Sequence, residues 1–206
     1  GGAAYIHKTF AAMDEANAWE AANCAISASS QHAPARAGDI LAHKSFGHAL
    51  GPLIMLMRAG HRPGSTYFRL VESFFRNYIA AKQMSDDAHD WEQDARQGRL
   101  NSASSVIADM LSDTNTKPDA RSVGLWRDIF WDRALDVVVR RIMYRIESAR
   151  TAAKRLRGVI DYGYLESLIS PLERSAERAL SERNEAARFL WEFRGQTATE
   201  SERQRA

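Results

Sequence analysis

Between residues 123 and 157 the apolar side chains Leu125, Ile129, Phe130, Ala134, Val137, Val138, Ile142 and Ile146 recur three or four positions apart. That spacing lines one side of a helix turning about 100° per residue. The same period runs through most of the chain, and no segment alternates apolar and polar residues as a half-buried strand does. The fold class that follows is all-α. Residues 5–29 are alanine-rich, with Tyr5, Thr9, Met13, Ala16 and Trp19 at helical spacing. A loop is expected over 29–39, from its Ser, Pro and Gly content. Asp39 is placed to cap a helix over 40–59 that breaks at Gly51-Pro52. Ser65 opens a long helix through Phe68, Val71, Phe75, Tyr78 and Ile79 to Gly98. A short helix over 102–112 follows, then a loop, the 123–157 helix and a last helix over 162–194, with Pro171 as kink or boundary. One domain over 1–195 and a fraying tail over 196–206 complete the expectation.

Composition narrows the classes. With 206 residues, 45% of them hydrophobic, the chain can bury a substantial core. A net charge of +2, with both signs interspersed, gives no general polyanion-binding character. The lone Cys24 excludes an internal disulfide framework, fits a reducing compartment and reads as a small buried hydrophobe. No apolar run approaches a membrane span and no signal peptide is visible, so a cytoplasmic location is the expectation. The start, GGAAYIHK, lacks a methionine and reads as a processed or excised product with something missing upstream.

The stretch QMSDDAHDWEQDARQGR (83–99) concentrates the charge. On a helix, Asp86, Asp87, Asp90 and Asp94 share a face within about 100° of arc around Gln83, while Glu92 points the opposite way. Like charges at i,i+4 cost about 0.2–0.5 kcal/mol per pair. No Lys or Arg within the stretch shares that face, so an external cation is expected. Mg²⁺ suits it, being held by one or two carboxylates together with substrate phosphates. The plain alternative is a solvated acidic surface.

The pattern Gln83-x-x-Asp86-Asp87-x-x-Asp90 resembles the second aspartate-rich motif of the class I isoprenoid synthase family, of the trans-prenyltransferase type. Lys44-Ser45 resembles the family's upstream Lys-Thr element, and Asp94 with Gly98-Arg99 resembles the residues that close the motif. The likeness spans residues 38–101. It implies a helical bundle around a deep apolar cavity, with Mg²⁺ holding the diphosphate of an allylic prenyl substrate as it ionises and is transferred or cyclised. By that likeness Asp86 and Asp90 are metal ligands and Asp87 is a ligand or its support. Gln83 lies near the reacting chain, and Lys44 and Arg99 meet the diphosphate. The family's first acidic motif has no counterpart, because Asp14-Glu15 is no DDxxD and lies too close to Lys44. The resemblance therefore implies the C-terminal portion of a synthase, completed by a missing N-terminal segment or a second chain, with room for a homodimer.

Other readings stand beside it. Asn101, Ser105 and Asp109 have the i,i+4,i+8 spacing of a cyclase metal triad, although Asn101 or Ser102 also suits a helix cap. His89-Asp90, with His48 or His61 and Asp128 or Asp132, suggests a His-Asp phosphohydrolase, but His89 and Asp90 diverge by about 100° on a helix. A di-iron bundle needs paired Glu-x-x-His, which is absent. Asp128, Asp132 and Asp136 form a second acidic row, read as an outer face bridged to Arg127 and Arg133. The basic run from Arg140 to Arg157 carries Glu147 and no recognition motif, so it reads as solvated surface rather than a nucleic-acid site. Phe74, Phe75, Tyr78, Trp126, Phe130 and Trp131 are core or cavity lining. From a different functional class comes a non-catalytic helical partner with the same fold.

Overall fold

The computed structural model describes residues 1–26, 37–112 and 123–203. Among these the helices are α1 (Gly2–Asn23), α2 (Ala37–Lys44), α3 (Leu50–Arg58), α4 (Thr66–Arg96), α5 (Ser102–Ser112), α6 (Val123–Ile129), α7 (Leu135–Arg155) and α8 (Tyr162–Arg203). A 3₁₀ turn (Phe46–Ala49) precedes α3, and a π turn (Phe130–Ala134) joins α6 to α7. No strand occurs among the described residues, and no helix among them is long and apolar enough to cross a membrane. The all-α expectation holds. Most of the loop expected over 29–39 and all of 113–122, also expected as loop, lie outside the described residues, as do residues 27–28, expected as the end of the first helix, and residues 204–206.

The frame is built from α4, α7 and α8. On α4 and the α6–α7 rod, Asn77 meets Arg145 while Glu92 meets Arg127, so the two run antiparallel. Their apolar faces interlock: Phe68, Val71 and Phe74 are buried with Trp126, Ile142 and Ile146, and the Trp91 ring packs 5.0 Å from Phe130. Full burial of each such side chain contributes about 1.5–3 kcal/mol. The joint between α7 and α8 is ionic as well as apolar. Arg150, only 16% exposed, is held by Glu147 at 3.0 Å, Glu166 at 3.0 Å and Glu173 at 2.6 Å. It is a half-buried hub, not the solvated surface expected of the basic run. Arg157 is exposed, as expected, with its guanidinium 4.3 Å over the Tyr162 ring.

Several boundaries differ from the periodicity reading. The break expected at Gly51-Pro52 falls instead at Ser45, and Pro52 sits in the first turn of α3. There a missing N–H costs nothing, because first-turn N–H groups have no helical partner. Asp39 lies within α2 rather than before it. Helix α8 runs through Pro171 and past residue 195 to Arg203. Pro171 and Ser167, whose carbonyl loses its partner, are both exposed, so water can satisfy it. The aromatics divide. Trp126, Phe74 and Phe130 are core, Phe75 and Tyr78 are half-buried, and Trp131 is 45% exposed. Trp131 lines a groove of about 1300 Å³ with Leu125, Ile129, Asp132 and Leu190, to which α4 contributes no residue.

Candidate functional site

The aspartate helix ends in a defined way, and that ending arranges the site. Gly98 takes φ +76°, the left-handed conformation that glycine adopts without steric cost. Its N–H donates to the Ala95 carbonyl at 3.0 Å and the Arg99 N–H to the Asp94 carbonyl at 2.9 Å. This paired closure is the Schellman motif. The reversed chain then starts α5 at once. Asn101 caps it, its Oδ1 accepting from the N–H of Ala103 at 3.0 Å and of Ser104 at 2.9 Å. The end of α1 clasps the corner: Ile26 N–H donates to the Gly98 carbonyl at 2.8 Å and Leu100 N–H to the Cys24 carbonyl at 2.6 Å.

The four aspartates share a face of α4 but not a fate. Asp87 is buried against the start of α5. Its Oδ2 accepts the Ser102 N–H at 2.9 Å and its Oδ1 accepts from Gln83 Nε2 at 2.8 Å. Burial raises the Asp87 carboxyl above its ordinary range, against the lowering effect of Ser102 and Gln83, and the charge of Asp94 adds to the rise. Asp94 accepts from Arg99 Nη2 and from Asn101 Nδ2, each at 3.0 Å. Asp86 accepts from Lys82 at 2.8 Å, both side chains being half exposed. Asp90 is exposed and makes no hydrogen bond or ion pair among the described residues.

The expectation that these carboxylates lack local cations is therefore corrected. Lys82 stands one residue before the stretch and lies i,i+4 from Asp86, so a window starting one residue earlier contains it. Arg99 turns back through the left-handed glycine to reach Asp94, which a straight helical projection does not show. Asn101 and Ser102, partners of Asp94 and Asp87, come from another helix; the spacing offers Asn101 as a triad member or a cap and Ser102 as a cap, and neither reading points to α4.

Lys44 closes α2 and donates to Glu20 of α1 at 2.5 Å. Glu20, Lys44 and Asp87 all act on the buried Cys24 thiol, so the ends of α1 and α2 converge with the middle of α4. Burial pushes that thiol up to about 11, with Glu20 and Asp87 adding to the shift and Lys44 opposing it. Cys24 is thus a buried thiol, as expected. Lys44, Gln83 and Asp87 come together in this way. Arg99 stays exposed at the corner, holding Asp94 and Gln97.

The competing readings meet occupied side chains. Asn101 spends both ends of its amide on capping and on α4, and Ser105 Oγ donates to the Asn101 carbonyl at 2.7 Å, so neither is turned outward as a metal triad requires. His89 Nδ1 lies 2.7 Å from the Ser85 carbonyl. Among the described residues, no three His, Cys, Asp or Glu side chains are grouped so as to hold a metal by themselves. In the second acidic row, Asp136 pairs with Arg183 of α8 at 2.5 Å, Asp132 has only Arg133 at 3.9 Å, and Arg127 turns away to Glu92 of α4. Of the expected bridges, the one to Arg133 is present, loosely and in solvent, Arg127 is engaged by Glu92 instead, and a further tie joins Asp136 to α8. Comparison with protein-family models, with curated proteins and with solved structures finds no match to this chain.

Proposed function

We propose that this chain is part of an isoprenoid synthase-like protein that binds an allylic prenyl diphosphate with Mg²⁺, for ionisation followed by prenyl transfer or cyclisation. The observation that carries the reading is the division of the aspartates: Asp87 faces inward partners and Asp94 is held between Arg99 and Asn101, while Asp86 and Asp90 remain exposed one turn apart. Two such carboxylates fit Mg²⁺, which needs only one or two from the protein when phosphate oxygens complete its shell. Lys82 is no obstacle, since a half-exposed ion pair contributes about 0–1 kcal/mol and yields readily. Lys44 is more enclosed, 24% exposed, and would have to leave Glu20 for its ammonium to meet a diphosphate. When bound, Mg²⁺ would offset the charge that develops on the departing diphosphate. Lys44 and Arg99 would add donors to the same oxygens, and Gln83 would face the substrate only by sharing its amide with Asp87.

The test is calorimetry with geranyl S-thiolodiphosphate, an allylic analogue that resists ionisation, with and without MgCl₂. Mg²⁺-dependent binding that vanishes in the Asp86→Ala/Asp90→Ala double variant is expected. Equal binding with and without Mg²⁺, or none, overturns the reading. A second reading, a non-catalytic helical partner, is favoured by the open groove with Trp131 and Leu190 exposed along it. It would gain from a failed titration.

A further inference from the structure

Asp87 and Asn101 lie within the motif region, yet their side chains are turned away from solvent and fully employed. Asp87 offers one oxygen to Gln83 and the other to the first N–H of α5. The positive end of that helix dipole favours a carboxylate there. Asn101 does something the motif does not suggest. While its oxygen caps α5, its Nδ2 donates to the Asp87 carbonyl and to Asp94 Oδ2, both at 3.0 Å. One amide thus ties the start of α5 to α4 at two points, one before Asp90 and one after it. With Ser102 on Asp87, the bonds oppose rotation of this part of α4 about its own axis. Such a rotation would swing Asp86 and Asp90 away from a common target.

We infer that Asn101 and Asp87 are positioning residues of the proposed diphosphate site, fixing the direction of Asp86 and Asp90 without touching metal or substrate. The inference rests on the preceding functional reading. It also separates Asp87 from its neighbours, since a carboxylate enclosed by Gln83 and α5 serves the fold and not the ion.

The discriminating variant is Asn101→Ser. A serine keeps an N-cap acceptor of similar strength but loses both Nδ2 bonds to α4. Thermal unfolding near that of the wild type is expected, together with Mg²⁺-dependent binding of geranyl S-thiolodiphosphate weakened about ten-fold, the lower end of what loss of a ligand's support costs. The dependence of binding on Mg²⁺ concentration, which counts the ions taken up, should not change. Asp87→Asn should behave likewise, whereas Asp86→Asn should lower the ion count. Wild-type binding by Asn101→Ser, or an ion count lowered in Asp87→Asn as in Asp86→Asn, overturns the positioning role. Failure of the wild-type chain itself to bind with Mg²⁺ is a separate outcome, and removes the functional reading and the positioning role with it.

Discussion

Two acidic rows in this chain have the same spacing, Asp86/Asp90/Asp94 on α4 and Asp128/Asp132/Asp136 on the α6–α7 rod. The first lies where another helix begins. Its flank, Asp87, is swallowed by the α4–α5 corner, and Asp94 is pinned from the same side. The second runs along a groove wall, and only Asp136 finds a firm partner, Arg183. Identical spacing therefore marks a helix face without saying what that face meets. A helix N-terminus or a chain reversal nearby turns one carboxylate into structure and leaves its neighbours exposed.

The contrast can be sharpened by substitution. Asp87→Ala leaves the buried Ser102 N–H and the Gln83 amide without their acceptor, and should cost about 1–3 kcal/mol of stability by urea unfolding. A value near zero would erase the difference between the rows. Arg183→Gln should act more weakly and with a pH signature. The hydrogen bond from Arg183 holds the Asp136 carboxyl below its ordinary 3.8. A depressed acid stabilises the fold above its unfolded value and loses that contribution as pH falls through the folded value. The variant should therefore be less stable at neutral pH, by under about 1 kcal/mol for a pair whose acid is 44% exposed, and the gap should close below pH 3.8. Asp132→Ala, whose partner is 3.9 Å away in open solvent, should fall within about 0.5 kcal/mol of the wild type.

Much of the architecture was legible because helical spacing repeats over many residues and a core face must be continuous. The limits of α5 coincide with expectation, and α4 differs from it by a residue or two at its end. Prolines misled in both directions. Pro52 does not break its helix because it occupies a first turn, and Pro171 does not end α8 because its lost bond is exposed. The acidic face was legible, as was the capping role of Asn101, since both depend on neighbours along one helix. The second use of the Asn101 amide was not, because Asp87 and Asp94 are reached only after the left-handed reversal at Gly98. Arg150 was misplaced for a related reason: Glu166 and Glu173 arrive from the returning helix.

The π turn at Phe130–Ala134 has a consequence for descent. Such a turn holds one residue more than an α turn, so it corresponds to a single-residue insertion in an otherwise regular rod. In a homologue without that residue, the helix would run on in α geometry, and because the π turn absorbs its extra residue the face beyond Ala134 would keep its direction relative to α6. Asp136 would still face Arg183. Alignments to this protein should therefore admit a one-residue gap between 130 and 134. The pairing of Asp136 with the α8 arginine should survive that gap.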